Sequence, residues 1–398
     1  MKVNFFLDNS CRYDSRVLRE AGSLAANGHT LEILAFRDGG PDLTEERDGF
    51  KIIRLPGISQ LRRFQWMQLF YSAFGIVRYY VQCWILLKDK CVDVCHCHDL
   101  WTLPIGYIVK RLRGCSLVYD SHELYLEQAS LGFLRRLLGK IIERALIGHA
   151  DNVITVNSFI AEELLKRYKI RLPLVIANYP LTTTEKSLLS YDNIRDTLSV
   201  PDIVPIILYI GGYVAGRGLE NLILSAKFIR QGVIVFIGFG TAEGKLKELV
   251  KEHSLTDKVK FTGPVSPDSL IQYIESASLG VVLFTKVDLN NYYCSPNKLF
   301  EYINAGLPVV CSDFPFMKSV VENYEVGKTC NPDDPECIAS AINWVLEDNE
   351  RYRYLKRNVL SAAGIFNWGK ESRKLIALYE ELGKKMMQSR GEGARCAA

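Results

Sequence analysis

Along nearly the whole chain, short apolar runs rich in β-branched residues alternate with segments of helical period. That alternation is the signature of βαβ units and restricts the fold to α/β architectures with parallel sheets. In the first half Val3–Leu7, Leu31–Phe36, Val92–His96, Leu117–Tyr119, Val153–Val156 and Leu174–Ala177 read as strands. Ser15–Ala26 reads as a helix, capped by Asp14 or Ser15 and stopped at Gly28. The polar stretch Thr182–Pro205 shows no sustained pattern and reads as a linker. A second series follows, with strands at Ile206–Ile210, Val233–Ile237, Val259–Thr262, Leu279–Phe284 and Leu307–Ser312. Helices Leu219–Ile229, Ala242–His253, Pro267–Ala277 and Pro296–Ala305 lie between them. Two Rossmann-like domains are therefore expected, over residues 1–185 and 203–368. An amphipathic closing helix over 369–388 is expected to pack back toward the first. Ligands of open α/β sheets bind off the carboxyl ends of the strands, so the chemistry is sought there.

Length and charge narrow the function classes. At 398 residues the chain exceeds one typical domain. Its net charge of +4 gives no reason to expect nucleic acid as a partner. Eleven cysteines and the absence of a signal peptide point to reduced thiols and a cytoplasmic location. The most apolar long stretch, Met67–Leu87, is interrupted by Gln68, Arg78 and Gln82 and makes a poor membrane span.

Four motifs fall at expected strand ends. The segment from Tyr209 to Gly218, YIGGYVAGRG, follows a strand and precedes a helix. Gly211 and Gly212 would let the backbone approach a phosphate, and Arg217 would add a charged contact. The plainer reading is a Gly-rich turn beside a solvated Arg. The segment from Ser295 to Gly306, SPNKLFEYINAG, reads as a helix with Ser295 as N-cap and Pro296 in its first turn. Lys298 there opposes the helix dipole, as expected if an anion occupies that end. Glu301 follows on the same face, within reach of a ribose or sugar hydroxyl pair, or else it forms a surface ion pair. Cys95-His96-Cys97-His98-Asp99 looks like a metal cluster, but neighbouring strand residues face opposite sides and cannot all converge on one ion. His98 and Asp99 fall at the strand's carboxyl end, where a cleft residue belongs, or else His98 is a hydrogen-bonded structural residue. Asp120, His122 and Glu123 end another strand, where they either bind substrate hydroxyls or cap the next helix. Gly240 sits in a further close-approach turn, and the stretch from Gly263 to Val265 is suited to a flat base. No Asp-x-Asp pair is present to hold a diphosphate-bound Mg²⁺.

Taken together, these residues resemble the family 4 glycosyltransferases, retaining enzymes of the GT-B fold. The resemblance spans roughly residues 1–380. It rests on SRVLREAGSLAANGHTLEIL, VDVCHCHDLW, VYDSHEL, ADNVITVNSFIAEEL and VIANYP in the first half. In the second it rests on YIGG, GRGLENLI, VIVFIGFG, KVKFTGPV and SPNKLFEYINAGLPVV. It implies two Rossmann-like domains facing a cleft, and transfer of a sugar from a UDP- or GDP-linked donor with retention of configuration. No cofactor or tightly held metal is implied. His98, Arg217 and Lys298 would be the catalytic groups. His98 would lie near the donor sugar, while Arg217 and Lys298 would hold the diphosphate with Gly211, Gly212, Gly240, Asn297 and Leu299. Glu301 would bind the ribose, and Gly263 and Val265 would lie near the base. Tyr293 stands where the family's first Glu of E-x₇-E belongs, and Gly212 where many relatives place a second Arg. The competing readings are a nucleotide-sugar epimerase and a degenerate GT-B module that binds nucleotide without transfer.

The acceptor is expected to be a glycan or lipid-linked glycan. Leu61–Lys88 combines Arg62, Arg63 and Arg78 with aromatic residues, and Phe133–Arg144 sets four basic residues on an apolar helix. Such helices either lie on an anionic membrane, here its inner face, or pack on the sheet with solvated basic edges.

Overall fold

The computed structural model describes residues 1–37, 43–55, 68–181, 194–265 and 267–396. Arg62, Arg63, Phe64 and Trp66, and the linker as far as residue 193, lie outside them. The chain divides into two compact units, Met1–Ala177 with Glu371–Ala398, and Asn178–Lys370.

The first unit holds β1 (Lys2–Phe6), α1 (Ser15–Ala26), β2 (Thr30–Phe36), β3 (Thr44–Arg47) and β4 (Phe50–Leu55). Next come α2 (Gln68–Leu87), β5 (Val94–His98), α3 (Leu103–Arg113), β6 (Ser116–Ser121) and α4 (Phe133–Leu146). It continues through β7 (Asn152–Thr155), α5 (Ser158–Tyr168) and β8 (Leu174–Val175). The sheet order is β3-β4-β2-β1-β5-β6-β7-β8, parallel except for β3. Strand order reverses at β1, between β2 and β5, and that crevice is where such sheets bind ligands. The expected strand at Val92–His96 instead runs to His98, because Cys97 and His98 pair with Tyr119 and Asp120 of β6.

In the second unit are α6 (Ile194–Leu198), β9 (Ile206–Ile210), α7 (Leu219–Ser225), β10 (Val233–Ile237), α8 (Glu243–Glu252) and β11 (Val259–Gly263). Then follow α9 (Pro267–Glu275), β12 (Leu279–Val282), α10 (Leu289–Tyr293), α11 (Asn297–Asn304) and β13 (Val309–Ser312). The unit closes with α12 (Pro315–Asn323), β14 (Gly327–Cys330), α13 (Pro335–Leu346) and α14 (Asn349–Ala363). All six strands are parallel in the order β11-β10-β9-β12-β13-β14, so the switch point lies between β9 and β12. β9 is wholly buried, as a strand covered by helices on both faces must be. Two apolar clusters, one on each face, hold this sheet. The unit begins at Asn178 because the neighbouring Tyr179 ring lies 4.5 Å from Phe300 and 5.2 Å from Phe366.

The last helix, α15 (Trp368–Cys396), returns the chain to the first unit. There Glu371 accepts from the Ala177 amide at 2.9 Å, and Tyr379 is fully buried. Among the described residues, no helix is long and apolar enough to cross a membrane.

Candidate functional site

At the switch point of the second unit the structure brings Arg217 and Lys298 together. Gly211 ends β9 at φ +135°, and a Cβ there would sit 3.1 Å from the Lys298 ammonium. The following loop is laid backbone-to-backbone on the turn after β10. The Gly211 amide donates to Ile237, and the Tyr213 amide to Phe239. A Cβ on Gly238 would lie 2.1 Å from the Gly211 carbonyl, and one on Gly240 would lie 2.4 Å from that of Tyr213. Gly240 is thus required by the packing of this loop. Further on, the Gly216 carbonyl accepts from the Thr285 amide and from Asn291 Nδ2. Arg217 is fixed between that anchor and Gly218, whose φ of +63° opens α7. Its guanidinium lies 4.2 Å from the Phe284 ring centre.

Lys298 is placed by its helix. The Tyr302 hydroxyl donates to the Leu208 carbonyl at 3.1 Å and accepts from the Ile210 amide at 2.9 Å, which keys α11 to the end of β9. Lys298 lies four residues earlier on the same face, and its ammonium rests 3.9 Å from the Tyr209 ring centre. Among the described residues, no carboxylate pairs with Arg217 or Lys298 within 4 Å. Burial and the Arg217 charge push the Lys298 ammonium down to about 7, against a weaker opposing pull from Glu301. Two cations on aromatic faces at a helix start form a cradle for an anion.

Some expected roles change. Ser295 does not cap α11. Pro296 occupies that position in extended conformation, and among the described residues no side chain caps the first turn and the buried Ser295 hydroxyl has no hydrogen-bond partner. Leu299 turns its side chain to the core, and its amide donates to the Pro296 carbonyl. Asn297 is exposed and accepts from Asn178 Nδ2 at 2.9 Å. Glu301 is half-buried beside Lys298. Gly212 is exposed, and a Cβ there meets nothing nearer than 4.0 Å. Gly263 has φ +77° with open space around it, and Val265 packs on the core.

The first unit gathers a second polar cluster at the carboxyl ends of β5 and β6. Buried Arg16 of α1 grips Asp120 through two 2.9 Å bonds and reaches the Ile176 carbonyl at 2.8 Å. His122 Nε2 lies 3.3 Å from Asp120, and its Nδ1 lies 3.4 Å from Asp99. Burial opposes the charge on His122, but Asp99 and Asp120 outweigh it and push the imidazole up to about 10. An imidazolium donates from both nitrogens. His122 Nε2 is 3.1 Å from His98 Nδ1, so that atom accepts and His98 carries its own proton on Nε2. Burial lowers His98 and keeps it neutral at pH 7. Its Nε2 has no hydrogen-bond partner among the described residues. Asp99 adopts φ +62°, a costly conformation for a non-glycine residue, and it accepts from the His122 amide.

Sequence reasoning passed over Arg16 and Glu20. The signal was available, because both share the buried face of α1 with Val17, Ala21 and Leu24. His96, stacked 4.4 Å from His98, bonds through Nδ1 to the Tyr379 hydroxyl at 2.9 Å. Among the described residues, Glu20, His96, His98 and Asp120 offer ligand atoms within 4.8 Å of one another, a grouping that could hold a metal. Arg16 already pairs with Asp120 and contacts Glu20, and burial pushes the Glu20 carboxyl up to about 8, which leaves it mostly protonated at pH 7. Cys95 and Cys97 point to the other side of the strand, as alternation requires.

Comparison with known proteins adds to this geometry. The sequence profile of glycosyl transferases group 1 matches residues 190–361, and that of the glycosyl transferase 4-like domain matches 13–177. An uncharacterised glycosyltransferase of Methanocaldococcus jannaschii is 26% identical over 374 residues, 90% of this chain and 92% of its own. Sucrose-phosphate synthase from Thermosynechococcus elongatus superposes with a TM-score of 0.80 at 21% identity, over 97% of this chain and 100% of its own. The Anabaena protein HepE, solved in complex with UDP-glucose, gives 0.73 at 17% identity, over 96% and 100%.

Proposed function

This chain belongs to the family 4 glycosyltransferases of the GT-B fold, and on that premise we propose that it moves a hexosyl group from a nucleoside diphosphate sugar to a glycan or lipid-linked glycan, with retention of configuration. The observation that carries this reading is the pair of cations, Arg217 and Lys298, held where β9 and α11 converge with no carboxylate within 4 Å of either among the described residues. A diphosphate supplies the missing negative charge. As the sugar–phosphate bond breaks, charge grows on the departing phosphate oxygen, and fixed cations with helix amides stabilise it most at that moment. No tightly held metal is invoked, since these groups carry the leaving-group charge.

Within the reading, Gly211 and Gly212 let the loop backbone approach the phosphates, and Gly240 supports that loop. Asn297 and the amides of the first turn of α11 add contacts. Glu301 takes the ribose, and Gly263 with Val265 borders the base. His98 presents its Nε2–H to a hydroxyl of the donor sugar. UDP or GDP is the favoured carrier, and HepE binding UDP-glucose in the same fold supports UDP. The site of action is the cytoplasmic side, at the inner membrane face.

The test is a thermal-shift panel of UDP, GDP, ADP and their sugars, followed by a transfer or slow donor-hydrolysis assay with the best ligand. One nucleotide sugar should raise the melting temperature, and Lys298→Ala should cost about 2–4 kcal/mol in transition-state stabilisation. Near-wild-type turnover in that variant would remove the role given to Lys298. Nucleotide binding with neither transfer nor hydrolysis would leave a binding module in place of an enzyme.

A further inference from the structure

Three neighbouring helices of the first unit present an outward face that is both apolar and basic. α3 packs on β5 and β6, with α2 on one side of it and α4 on the other. On α4 the side chains Phe133, Leu134, Leu137, Leu138 and Ile141 are exposed, Phe133 by 80% and Ile141 by 58%. Their spacing of three and four residues makes one stripe. On α2 the exposed residues Phe74, Val77, Val81 and Ile85 repeat that spacing. Ile108 and Leu112 continue it on α3. A lone exposed leucine needs no explanation, but eleven large apolar side chains on adjoining helices do.

The charge on the same helices is one-sided. They hold eight basic residues and one acidic residue, Glu143, which is buried. Eight less one gives +7 on three helices of a chain whose total is +4. Arg78, Arg111, Lys140 and Arg144 are exposed, and among the described residues none of them has a carboxylate partner. Arg135 and Arg136 are turned back, one over the Trp101 ring and one onto the Gln128 carbonyl.

From this we infer that the outer face of α2, α3 and α4 docks on an anionic lipid surface, with the apolar stripes entering the headgroup boundary and the basic residues meeting lipid phosphates. The charge decides among occupants. A second copy of the chain would set Arg78, Arg111, Lys140 and Arg144 against the same four cations across a self-complementary contact, which is repulsive. An anionic bilayer satisfies the apolar and the charged part together. The docking stands apart from the transfer reaction and does not depend on it. It would place the first unit beside any acceptor anchored in that bilayer.

Co-flotation of the full chain with vesicles tests the inference. The chain should float with phosphatidylglycerol vesicles at about 0.1 M salt, and at least ten-fold less with phosphatidylcholine alone. Lys140→Glu with Arg144→Glu should lower partitioning about ten-fold or more. Leu137→Asp with Ile141→Asp should lower it similarly, while unfolding temperatures stay near wild type. Three results would overturn the inference. One is no flotation at low salt, and another is wild-type flotation by both double variants. The third is a wild-type dimer that Leu137→Asp converts to monomer, which would make this face a contact between copies.

Discussion

Lys298→Met should make the unliganded protein more stable and its hold on a nucleoside diphosphate weaker, and both effects should depend on pH. The ordinary lysine value of 10.5 falls to about 7 here, through burial first and the Arg217 charge second. At about 1.4 kcal/mol per pH unit, the charged form is disfavoured at this position by roughly 5 kcal/mol relative to water. Relaxation and partial hydration reduce what a variant recovers to about 1–3 kcal/mol. The folded-state value lies below the unfolded one. Below pH of about 7 both states are charged and the whole penalty is present. Between there and 10.5 the unfolded chain holds a proton that the folded chain lacks, so this group makes stability rise with pH across that window. A bound diphosphate reverses the balance by attracting the ammonium. Above pH of about 7 binding must then take up a proton, and affinity should fall by up to about ten-fold per pH unit. Titration calorimetry at about pH 8, in buffers of different ionisation enthalpy, should show uptake approaching one proton. At neutral pH Lys298→Met should weaken binding by roughly 10–100-fold and remove the uptake. A nucleotide affinity that is flat from about pH 7 to 9 would refute the reasoning, as would a Met variant with the wild-type slope.

Three further outcomes follow from particular contacts. Gly212→Arg has room for its side chain and should tighten nucleotide binding by about 3–10-fold through an added phosphate contact, read by calorimetry; weaker binding would show that the loop cannot carry it. Arg16→Met leaves Asp120 buried beside Glu20 without its main counter-charge, and urea unfolding should register a loss of about 3–5 kcal/mol. A loss under about 1 kcal/mol would mean that His122 alone suffices for Asp120. His98→Ala should slow sugar transfer while leaving affinity for the bare nucleotide within about two-fold, and an equal loss of both would move His98 out of the sugar site.

How much of this could be read in advance varied with the physics behind each feature. α1, β9 and β10 run over the expected residues, because an amphipathic stripe with an Asp cap and fully apolar strand runs leave little choice. The β3–β4 hairpin was not expected. TEER is almost wholly charged, while FKIIRL sets two charges among four apolar residues, yet Asp48-Gly49 between them, both at positive φ, is the turn pair that such hairpins use. In the second unit Arg217 and Lys298 were legible from a Gly-rich turn and a cation in a helix's first turn. What keys them in place was not, because the Tyr302 hydroxyl bridging Leu208 and Ile210 is a contact across some ninety residues of sequence. The layer beneath His98 was hidden for the same reason, since Arg16, Asp120 and Tyr379 meet only after folding.

The return of α15 to the first unit has a consequence for biosynthesis. Tyr379 closes the buried layer under His96, and Glu371 ties down the amide of Ala177. A chain emerging from the ribosome must therefore hold the first unit incomplete while the whole of the second is made. The unit begun first is finished last, and a message cut short near codon 370 would yield a sound second unit beside a first unit still open at its base.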